Sequence, residues 1–466
     1  MSSPIIQADP EEMDTPEKRG KRSVTIIGCG QTGIVQASLF ADAGFKVTCV
    51  DGDQTKVGRI SKGKSQFLNV ETATRLKAHV KIGRLTATND LKESVSHSDI
   101  IAITTPIKIG SKKKAEYSEI ENMCKKIGSS LQKGSLIIVT APTGIGVTEG
   151  LIKETLENTS GLKTGTDFGL AYSPLQTANS EMWEETAKRR RIVAATDKNS
   201  LKTAAMVLET VAKRGVTRTT NVKAAEVAVL IEVLQRDVKL ALADETATLC
   251  EKVGVDLVEA QRIIGADTDS LPTRPAAADD SVSDEAYLLL EDAESFNVRL
   301  RVATAARYAN EEIAKHVANT VKDALRSCGK TQKRARIGLL GASQIPNAQS
   351  SLKRTAKKII EILEARGAKV SLYDPYLSES EIADTPYHPK KTMTEAFDRA
   401  DCIIILTAHD QFKRLNLRKM RLTMRMPAAI VDLEDTLERP KNAPRIIVFG
   451  ERFREESFCQ LGTRDR

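Results

Sequence analysis

The chain has 466 residues, of which 41% are hydrophobic and 28% charged, and it carries a formal net charge of +8. This composition is typical of a soluble globular protein, and the length predicts two or three domains. No apolar run approaches the roughly 18 residues that cross a membrane, and the polar first 22 residues lack the apolar stretch of a signal peptide. We therefore expect a cytoplasmic protein without a membrane partner.

Strand and helix patterns alternate from residue 23 to about residue 215, which predicts a doubly wound parallel sheet. A strand over Ser23–Ile27 enters a glycine-rich turn, a helix over 34–43 leaves it, and a second strand follows over Lys46–Val50. Further buried strands of this sheet are predicted at 100–104, 135–140 and 191–195.

The glycine-rich turn at 28–33, Gly-Cys-Gly-Gln-Thr-Gly, predicts a dinucleotide site. Gly28 permits a tight turn, Gly30 lets a pyrophosphate approach the backbone, and Gly33 lets the helix pack closely on the strand. The N–H groups at the start of the helix, where Gln31 and Thr32 lie, would then face the phosphates.

An acidic residue, Asp51, follows the second strand directly. A carboxylate there accepts hydrogen bonds from the adenosine ribose hydroxyls and repels a 2′-phosphate, so we expect NAD as the cofactor rather than NADP. The alternative is a Rossmann-like turn that binds nothing.

The pattern changes after residue 220. The stretch 221–253 is rich in Ala, Val, Leu and Glu without Gly or Pro, which predicts one long helix that bridges domains or lines an oligomer interface. A loop with prolines is expected at 265–284. A second α/β domain follows, with strands predicted at 334–340, 370–374, 402–407 and 428–432 and a helix at 352–366. Its turn at 341–343 is an incomplete fingerprint, so we expect a separate nucleotide there rather than a second NAD.

The cysteines, histidines and basic residues indicate no further kind of site. The seven cysteines form no CxxC pair and the five histidines lack ligand spacing, so we expect neither a metal site nor a disulfide framework. Basic clusters occur at 112–114, 188–191 and 418–425. No aromatic residues lie among them and no nucleic-acid-binding motif accompanies them. We therefore interpret them as solvated surface or as attraction for an anionic nucleotide, and expect no nucleic-acid partner.

Four segments carry a resemblance to a known family. They are the fingerprint with 50–57, Thr104-Thr105-Pro106, the helix motifs at 225–226, 235–238 and 243–245, and finally 370–376 with 406–412. Together they resemble the UDP-glucose/GDP-mannose dehydrogenase family, nearest its UDP-N-acetylmannosamine dehydrogenase branch, over residues 23 to about 440.

The resemblance implies a chemistry and a set of ligands. Family members oxidise the C6 alcohol of a nucleotide sugar to a carboxylate with two NAD, through a cysteine that forms a thiohemiacetal and then a thioester. A lysine and an asparagine on the long helix stabilise the oxyanion. For this chain the resemblance implies NAD held in part by Thr105, a nucleotide sugar or related nucleotide, and a homodimer or a heteromer with a catalytic homologue formed through the long helix.

The resemblance and the patterns together predict an α/β fold of two Rossmann-like doubly wound domains, joined by a long central helix and a helical middle domain. The expected parts are a mobile tail at 1–22, an NAD-binding domain at 23–215, a central helical and dimerisation domain at 216–330, a C-terminal nucleotide-sugar-binding-like domain at 331–450 and a polar tail at 451–466.

This chain departs from the family at the positions of the catalytic residues. The lysine and asparagine of the long helix align with Val229 and Val233, which lie on one helical face and cannot donate a hydrogen bond. The threonine of the family's Ser-Thr-Val-Pro-Pro-Gly loop aligns with Pro142, and the glutamate after its Asn-Pro aligns with Leu175.

Two further family segments are replaced. No cysteine occurs between Cys250 and Cys328, and the family's cysteine loop aligns loosely with 277–284. Asp284 aligns there with a family carboxylate, although we favour a solvated loop aspartate. The family segment that helps to hold the nucleotide sugar becomes 344–353, without its lysine and aspartates. The catalytic residues therefore stay unknown.

Three functional hypotheses remain open. The chain is an active nucleotide-sugar dehydrogenase, a non-catalytic relative that still binds NAD, or an oxidoreductase that performs a single hydride transfer. We rank the second slightly above the third and both above the first, because removal of one oxyanion donor alone typically lowers the rate by ~10²–10³.

Overall fold

The structure is a computed structural model that describes residues 3–65, 70–175, 190–253, 255, 257–264, 284–347, 352–377, 388–434, 436–437, 446–449 and 456–458. The chain divides into two compact units, the first formed by Met1–Leu234 with Asp284–Leu300 and the second by Gln235–Ser283 with Arg301–Arg466. The predicted domain boundaries at 23–215, 216–330 and 331–450 stay a prediction. The loop expected at 265–284 lies outside the described residues, apart from Asp284.

The strands and helices follow the predicted order. The strands are β1 (Ser23–Ile27), β2 (Lys46–Val50), β3 (Leu85–Thr88), β4 (Ile100–Ile103), β5 (Lys108–Ile109), β6 (Ala115–Glu116), β7 (Leu136–Val139), β8 (Gly169–Tyr172), β9 (Arg191–Ala194), β10 (Val216–Thr219), β11 (Arg336–Leu340), β12 (Lys369–Tyr373), β13 (His388–Pro389), β14 (Cys402–Ile405), β15 (Ala428–Asp432), β16 (Ile446–Phe449) and β17 (Glu456–Phe458). The helices are α1 (Pro16–Arg19), α2 (Gln31–Asp42), α3 (Gln54–Ile60), α4 (Val70–Lys81), α5 (Leu91–Ser96), α6 (Ser118–Gly128), α7 (Lys153–Ser160), α8 (Lys198–Glu209), α9 (Val222–Val253), α10 (Leu257–Ile264), α11 (Ala286–Ser295), α12 (Arg301–Ser327), α13 (Arg354–Ala365), α14 (Met393–Phe397), α15 (Asp410–Lys413) and α16 (Leu417–Thr423).

The first unit is built on an eight-stranded sheet in the order β10-β9-β8-β7-β4-β1-β2-β3. Neighbouring strands pair in parallel except β8 and β9, so β9 and β10 run opposite to the other six. The central strands β4 and β7 are buried at every residue because apolar clusters cover both faces of the sheet. The carboxyl ends of β1, β2, β4, β7 and β8 therefore share one edge, where ligands bind in open α/β sheets.

The second unit repeats this architecture with seven strands in the order β13-β12-β11-β14-β15-β16-β17. The strands from β13 to β15 pair in parallel, and β16 and β17 extend the sheet by antiparallel pairing. Helices α12 and α13 contribute to the apolar cluster on one face. Two parallel Rossmann-like sheets in an α/β chain confirm the predicted fold class. Among the described residues, no helix has both the length and the apolar character needed to cross a membrane.

The mobile N-terminal tail is a wrong prediction, because residues 3–22 pack against the first unit. Ile5, Ile6 and Met13 are buried in the same apolar cluster as β1 and α2. Arg22 is 2% exposed and pairs with Glu12 at 2.8 Å. The prediction failed because three apolar side chains spread over a polar segment form no run, although each has a place in the core.

The polar tail predicted at 451–466 stays a prediction, although one short segment of it joins the second sheet. Glu456–Phe458 pairs with β16 and closes the edge of the second sheet. The other residues of that tail lie outside the described residues.

Candidate functional site

The glycine-rich turn leaves β1 as a tight turn that only glycine fits. Gly28 has a φ of +97°, and its N–H donates to the carbonyl oxygen of Val50 at 2.9 Å. A Cβ at this position would lie 2.7 Å from Thr105 Oγ1. Both the backbone conformation and the close neighbour therefore require glycine.

The next two glycines differ in what surrounds them. A Cβ on Gly33 would lie 1.9 Å from the carbonyl oxygen of Gly28, so helix α2 packs on the turn at backbone contact. A Cβ on Gly30 would meet no atom within 4 Å. Gly30 is the N-cap of α2, whose first residues are Gln31 and Thr32. The N-terminus of α2 is thus open beside Gly30, which is the geometry that a pyrophosphate needs.

The carboxylate of Asp51 lies at the same turn and keeps acceptor capacity. Its Oδ2 accepts from the N–H of Cys29 at 2.9 Å and lies 3.7 Å from Lys56 Nζ. Its Oδ1 accepts from the N–H of Asp53 at 3.0 Å. Since a carboxylate accepts about four hydrogen bonds, lone pairs remain for the hydroxyls of a ribose.

Thr104 and Thr105 connect β4 to the same turn. Thr104 Oγ1 lies 2.9 Å from the carbonyl oxygen of Ile27 and 2.5 Å from that of Gly28. Thr105 is half-buried beside the turn. All the residues predicted to hold the cofactor therefore lie together at the carboxyl ends of β1, β2 and β4: Gly28, Gly30, Gln31, Thr32, Gly33, Asp51 and Thr105.

The positions that the sequence resemblance aligns with the family's catalytic groups hold apolar side chains. Val229 is buried in the first unit, and Val233 lies one turn further along α9 and is half-buried. Pro142 and Leu175 are both buried. These four side chains offer neither a proton nor a lone pair to a substrate. Asp284 is half-buried just before α11.

A buried acid that the sequence interpretation left without a role, Glu226, lies on α9 one turn before Val229. Its carboxylate accepts from Thr143 Oγ1 at 3.2 Å, from the N–H of Gly146 at 2.6 Å and from the N–H of Thr148 at 3.0 Å. Burial raises the pKa of Glu226, while these hydrogen bonds lower it. An acid among the apolar residues of a long helix was the available signal for this role.

A second carboxylate, that of Asp292 on α11, holds the same loop. It accepts from the N–H of Ile145 at 2.7 Å, and a Cβ on Gly144 would lie 2.4 Å from Tyr117 Oη and 3.1 Å from Asp292 Oδ2. Burial raises the pKa of Asp292, and the neighbouring charge of Glu291 adds to that effect. Glu226 and Asp292 therefore serve as anchors for the backbone of 143–148, a role that differs from proton transfer to a substrate.

The second unit repeats the geometry of the first turn. Gly341 ends β11 with a φ of +73°, and its N–H donates to the carbonyl oxygen of Tyr373 at 3.0 Å. Asp374 follows β12, as Asp51 follows β2 in the first unit. Its Oδ2 accepts from the N–H groups of Ala342 and Ser343, both at 2.7 Å.

In this second turn, however, the protein's own side chains fill the space around the acid. His409 Nε2 lies 3.2 Å from Asp374 Oδ2 and 3.1 Å from Ser343 Oγ, and His409 Nδ1 accepts from the N–H of Asn347 at 2.9 Å. Asp374 Oδ1 accepts from the N–H of Tyr376 at 2.8 Å. Burial raises the pKa of Asp374, but the hydrogen bonds from His409 and the backbone outweigh it, so the pKa is lowered. This carboxylate has little capacity left for a ribose.

The segment at 344–353, which the resemblance aligns with the family's nucleotide-sugar residues, is described in part. Lys353 is 1% exposed, and its Nζ donates to the carbonyl oxygen of Leu406 at 3.2 Å. Residues 348–351 lie outside the described residues. Elsewhere, no group of three or more His, Cys, Asp or Glu among the described residues is arranged to hold a metal ion.

The sequence matches family models along most of its length. Residues 22–212 match the NAD binding domain of the UDP-glucose/GDP-mannose dehydrogenase family, residues 223–312 match its central domain, and residues 338–439 match its UDP binding domain. The glycine-rich turn falls within the NAD binding domain, which makes NAD the cofactor of the first unit.

Curated relatives carry names from the same family. The chain is 26% identical over 431 residues to the UDP-N-acetyl-D-mannosamine dehydrogenase of Pyrococcus horikoshii, covering 90% of this chain and 96% of the relative. It is 25% identical over 441 residues to the UDP-glucose 6-dehydrogenase of Rhizobium meliloti, covering 90% and 97%. Several other relatives are also UDP-N-acetyl-D-mannosamine dehydrogenases, in agreement with the branch that the sequence resembles.

Solved structures share the fold. The UDP-D-ManNAc dehydrogenase of Pyrococcus horikoshii superposes with a TM-score of 0.78 at 24% identity, covering 90% of this chain and 96% of that one. A UDP-glucose dehydrogenase from Pyrobaculum islandicum gives 0.76 at 20% identity, covering 90% and 97%. With three family domains matched in order, the chain belongs to the UDP-glucose/GDP-mannose dehydrogenase family of NAD-dependent nucleotide-sugar dehydrogenases.

Proposed function

We propose that this chain is an NAD-binding family member that does not perform the cysteine-dependent four-electron oxidation. The pair Val229 and Val233 on α9 is the observation that carries the proposal. Both positions align with family residues that stabilise the oxyanion, and neither valine can donate a hydrogen bond. The sequence also lacks a cysteine between Cys250 and Cys328, so no nucleophile is available from that stretch to form the thioester.

The cofactor is proposed to bind at the first turn. The N–H groups at the start of α2, beside Gly30, would hold the pyrophosphate, with Gln31 and Thr32 at the same helix end. Asp51 would accept the ribose hydroxyls, and Gly28, Gly33 and Thr105 shape the turn. NAD supplies a hydride acceptor when it is bound. The open space beside Gly30 and the unused lone pairs of Asp51 support this assignment.

The surroundings of the two valines support a non-catalytic role. Two buried or half-buried acids of the first unit, Glu226 and Asp292, already accept hydrogen bonds from the loop at 143–148. A general base needs a free lone pair within hydrogen-bond reach of the substrate proton. A carboxylate that several N–H groups hold in place is a poor candidate for that task.

A nucleotide sugar or a related nucleotide is the ligand that we propose for the second unit. The match to the family's UDP binding domain over residues 338–439 supports this assignment. His409 and Asp374 fill the turn of the second unit, so we do not expect a second NAD to bind there. The altered segment at 344–353 leaves the identity of the sugar open.

Self-association, or pairing with a catalytic homologue, is proposed through the central helices. In the second unit, large apolar side chains on α9, α10 and α12 are at least 46% exposed: Leu242, Leu249, Val253, Ile263, Ile264, Val302 and Tyr308. Such a set of exposed apolar residues on neighbouring stretches of sequence is typical of a surface that a partner covers. We also propose a reducing compartment, the cytoplasm, because five described cysteines carry free thiols: Cys29, Cys49, Cys124, Cys250 and Cys402.

The experiment supplies NAD and a panel of UDP- and GDP-sugars and follows absorbance at the NADH band. The UDP-N-acetyl-D-mannosamine dehydrogenase of Pyrococcus horikoshii serves as the positive control. We expect NAD to raise the melting temperature of this chain without NADH formation. The Asp51→Ala variant should lose that thermal shift, and unchanged NAD affinity in this variant would refute the role of Asp51.

The other two hypotheses predict different stoichiometries in the same assay. Two NADH per sugar would show a complete oxidation and refute the non-catalytic proposal. One NADH per sugar with an accumulating aldehyde or ketone would instead show a single hydride transfer.

A further inference from the structure

An arginine in the first unit, Arg191, is buried without a counter-ion among the residues that the structure describes. It belongs to the basic cluster at 188–191, which we interpret from the sequence as solvated surface or as attraction for an anionic nucleotide, and only 4% of it is exposed. Its neighbour Arg190 is exposed, as expected. Arg191 is the first residue of β9, and its backbone N–H donates to the carbonyl oxygen of Gly215 at 3.2 Å. The backbone is therefore satisfied while the guanidinium lies inside the protein.

The guanidinium has almost no hydrogen-bond partner. Nε and Nη1 are buried and make no hydrogen bond, and Nη2 lies 3.5 Å from the carbonyl oxygen of Ser173. No carboxylate of the described residues forms an ion pair with it, and burial alone lowers the pKa of Arg191 to about 10. The hydroxyl of Ser173, which is 0% exposed, is also buried without a partner. Two neighbouring residues thus present unused donors.

The start of β9 lies near the end of β8. Tyr172 pairs with Ala194 in the antiparallel contact of β8 and β9. The backbone of Ser173 and Leu175 continues along β7, with N–H groups donating to the carbonyl oxygens of Val139 and Thr140. Leu175, which the resemblance aligns with an acidic family residue, lies two residues after Ser173 and carries an apolar side chain.

An uncompensated buried charge is strongly unfavourable, and such charges in proteins are normally paired. A guanidinium offers two parallel N–H groups to one carboxylate or phosphate group, which forms short and strong hydrogen bonds. We propose that Arg191 and Ser173 form a binding site for an oxyanion, the carboxylate or phosphate group of a small-molecule ligand.

The site is separate from the proposed phosphate site at the glycine turn. Ser173 follows β8, which is three strands from β1 in the sheet order β8-β7-β4-β1. At about 4.8 Å per strand, that is roughly 14 Å along the sheet edge. It also lies on the side of β1 away from Asp51 and β2. The inference holds whether or not the chain turns over a substrate.

The experiment compares wild type, Arg191→Met and the exposed control Arg190→Met by thermal unfolding and titration calorimetry. The probes are inorganic phosphate and acetate, against chloride at equal ionic strength. We expect the melting temperature of wild type and Arg190→Met to rise with one or both oxyanions. Arg191→Met should melt above wild type without oxyanion and lose at least tenfold in affinity. A response to phosphate alone or to acetate alone would identify the class of the bound group.

Three results would overturn the proposal. If the wild-type protein binds neither oxyanion, it has no such site. If the melting temperature of Arg191→Met rises with oxyanion as much as that of wild type, the oxyanion binds elsewhere. Arg191→Met that fails to fold or melts below wild type shows that the guanidinium is already compensated within the protein. In that last case, Arg191→Lys should restore the stability, because a structural charge without a bound ligand does not need the planar fork.

Discussion

At the scale of single residues, two aspartates with the same sequence context have opposite availability. Asp51 and Asp374 each follow the second strand of a Rossmann-like unit and accept backbone N–H groups from a glycine turn. The sequence predicts this much, because the turn and the acid lie close along the chain. It did not predict that His409 approaches Asp374, since the two residues are 35 positions apart and only the fold brings them together. The first acid keeps lone pairs for a ligand, and the second does not.

The two glycines at the start of α2 give a prediction that separates folding from binding. Gly33→Ala should lower the free energy of unfolding by about 1–3 kcal/mol, because its Cβ would overlap the carbonyl oxygen of Gly28. Gly30→Ala should leave the melting temperature near that of wild type but raise the Kd for NAD about tenfold, about 1.4 kcal/mol, because the methyl group occupies the approach of the pyrophosphate. Urea unfolding and titration calorimetry measure the two effects.

Gly58→Ala in α3 is the matched control, since a Cβ there also meets nothing within 4 Å and Gly58 is remote from the turn in sequence. The Gly58→Ala variant should leave the Kd for NAD unchanged. Equal Kd values for NAD in Gly30→Ala and Gly58→Ala would contradict a pyrophosphate that lies against Gly30.

At the scale of elements, the N-terminal segment at 3–22 acts as a strap across the amino ends of the first sheet. Ile6 N donates to the carbonyl oxygen of Gly134 before β7, and Arg22 pairs with Asp99 before β4 at 3.2 Å. The carboxyl ends of the strands, where the glycine turn lies, are at the opposite edge. The strap therefore stabilises the sheet at a distance from the ligands.

Deleting residues 2–13 should destabilise the first unit without affecting the cofactor. Full burial of a side chain such as Ile5, Ile6 or Met13 contributes about 1.5–3 kcal/mol each, offset in part by the entropy of ordering the segment. We expect a lower melting temperature and an unchanged Kd for NAD below that temperature. A truncated chain that melts with wild type would mean that the strap contributes nothing to stability.

The loop at 143–148 depends on a buried acid, and this dependence gives a prediction about pH. Burial raises the pKa of Glu226 above its ordinary value of 4.5. Its contribution to stability is thus present below pH 4.5 and is lost as pH rises through the folded-state pKa. The Glu226→Gln side chain cannot ionise, so its stability does not fall in this way as the pH rises. Its amide N–H₂ would face a backbone N–H group, which lowers the free energy of unfolding by about 1–3 kcal/mol at every pH.

The difference in unfolding free energy between wild type and Glu226→Gln should therefore shrink as the pH is raised from 5 to 8, as measured by urea unfolding. Glu119 is exposed, so Glu119→Gln is the control. We expect this variant to differ little from wild type in unfolding free energy over the same pH series. A difference that grows with pH would contradict a raised pKa at Glu226.

At the scale of the whole molecule, the sequence predicts the order of the strands and helices better than it predicts the contacts between distant segments. Alternating apolar strands and amphipathic helices predicted two Rossmann-like sheets, and a stretch without Gly or Pro predicted the long helix that begins at Val222 and ends at Val253. The antiparallel β9, the strap and the burial of Arg191 were not predictable in this way. Each depends on contacts between segments that are distant along the chain, and a basic or polar run gives no sign of them.

The cofactor turn and the positions aligned with the family's catalytic residues differ in how well they match the family. The turn at 28–33 keeps each feature that a dinucleotide requires. Val229, Val233 and Leu175 lie at the positions that the resemblance aligns with groups acting on a substrate, and the proposed function depends on that alignment. On the proposed function, a protein of this kind would still bind NAD and would present its central helices to a partner. The function of such a protein would then be binding rather than catalysis.

A single-turnover measurement tests this claim most directly. The chain is mixed in excess over each UDP- or GDP-sugar with saturating NAD, and absorbance at the NADH band is followed for hours, so that even a very slow reaction is counted. The account predicts no NADH above the level of an Asp51→Ala control. Two NADH per sugar would contradict it, because the complete oxidation would then proceed without the family's cysteine, lysine and asparagine.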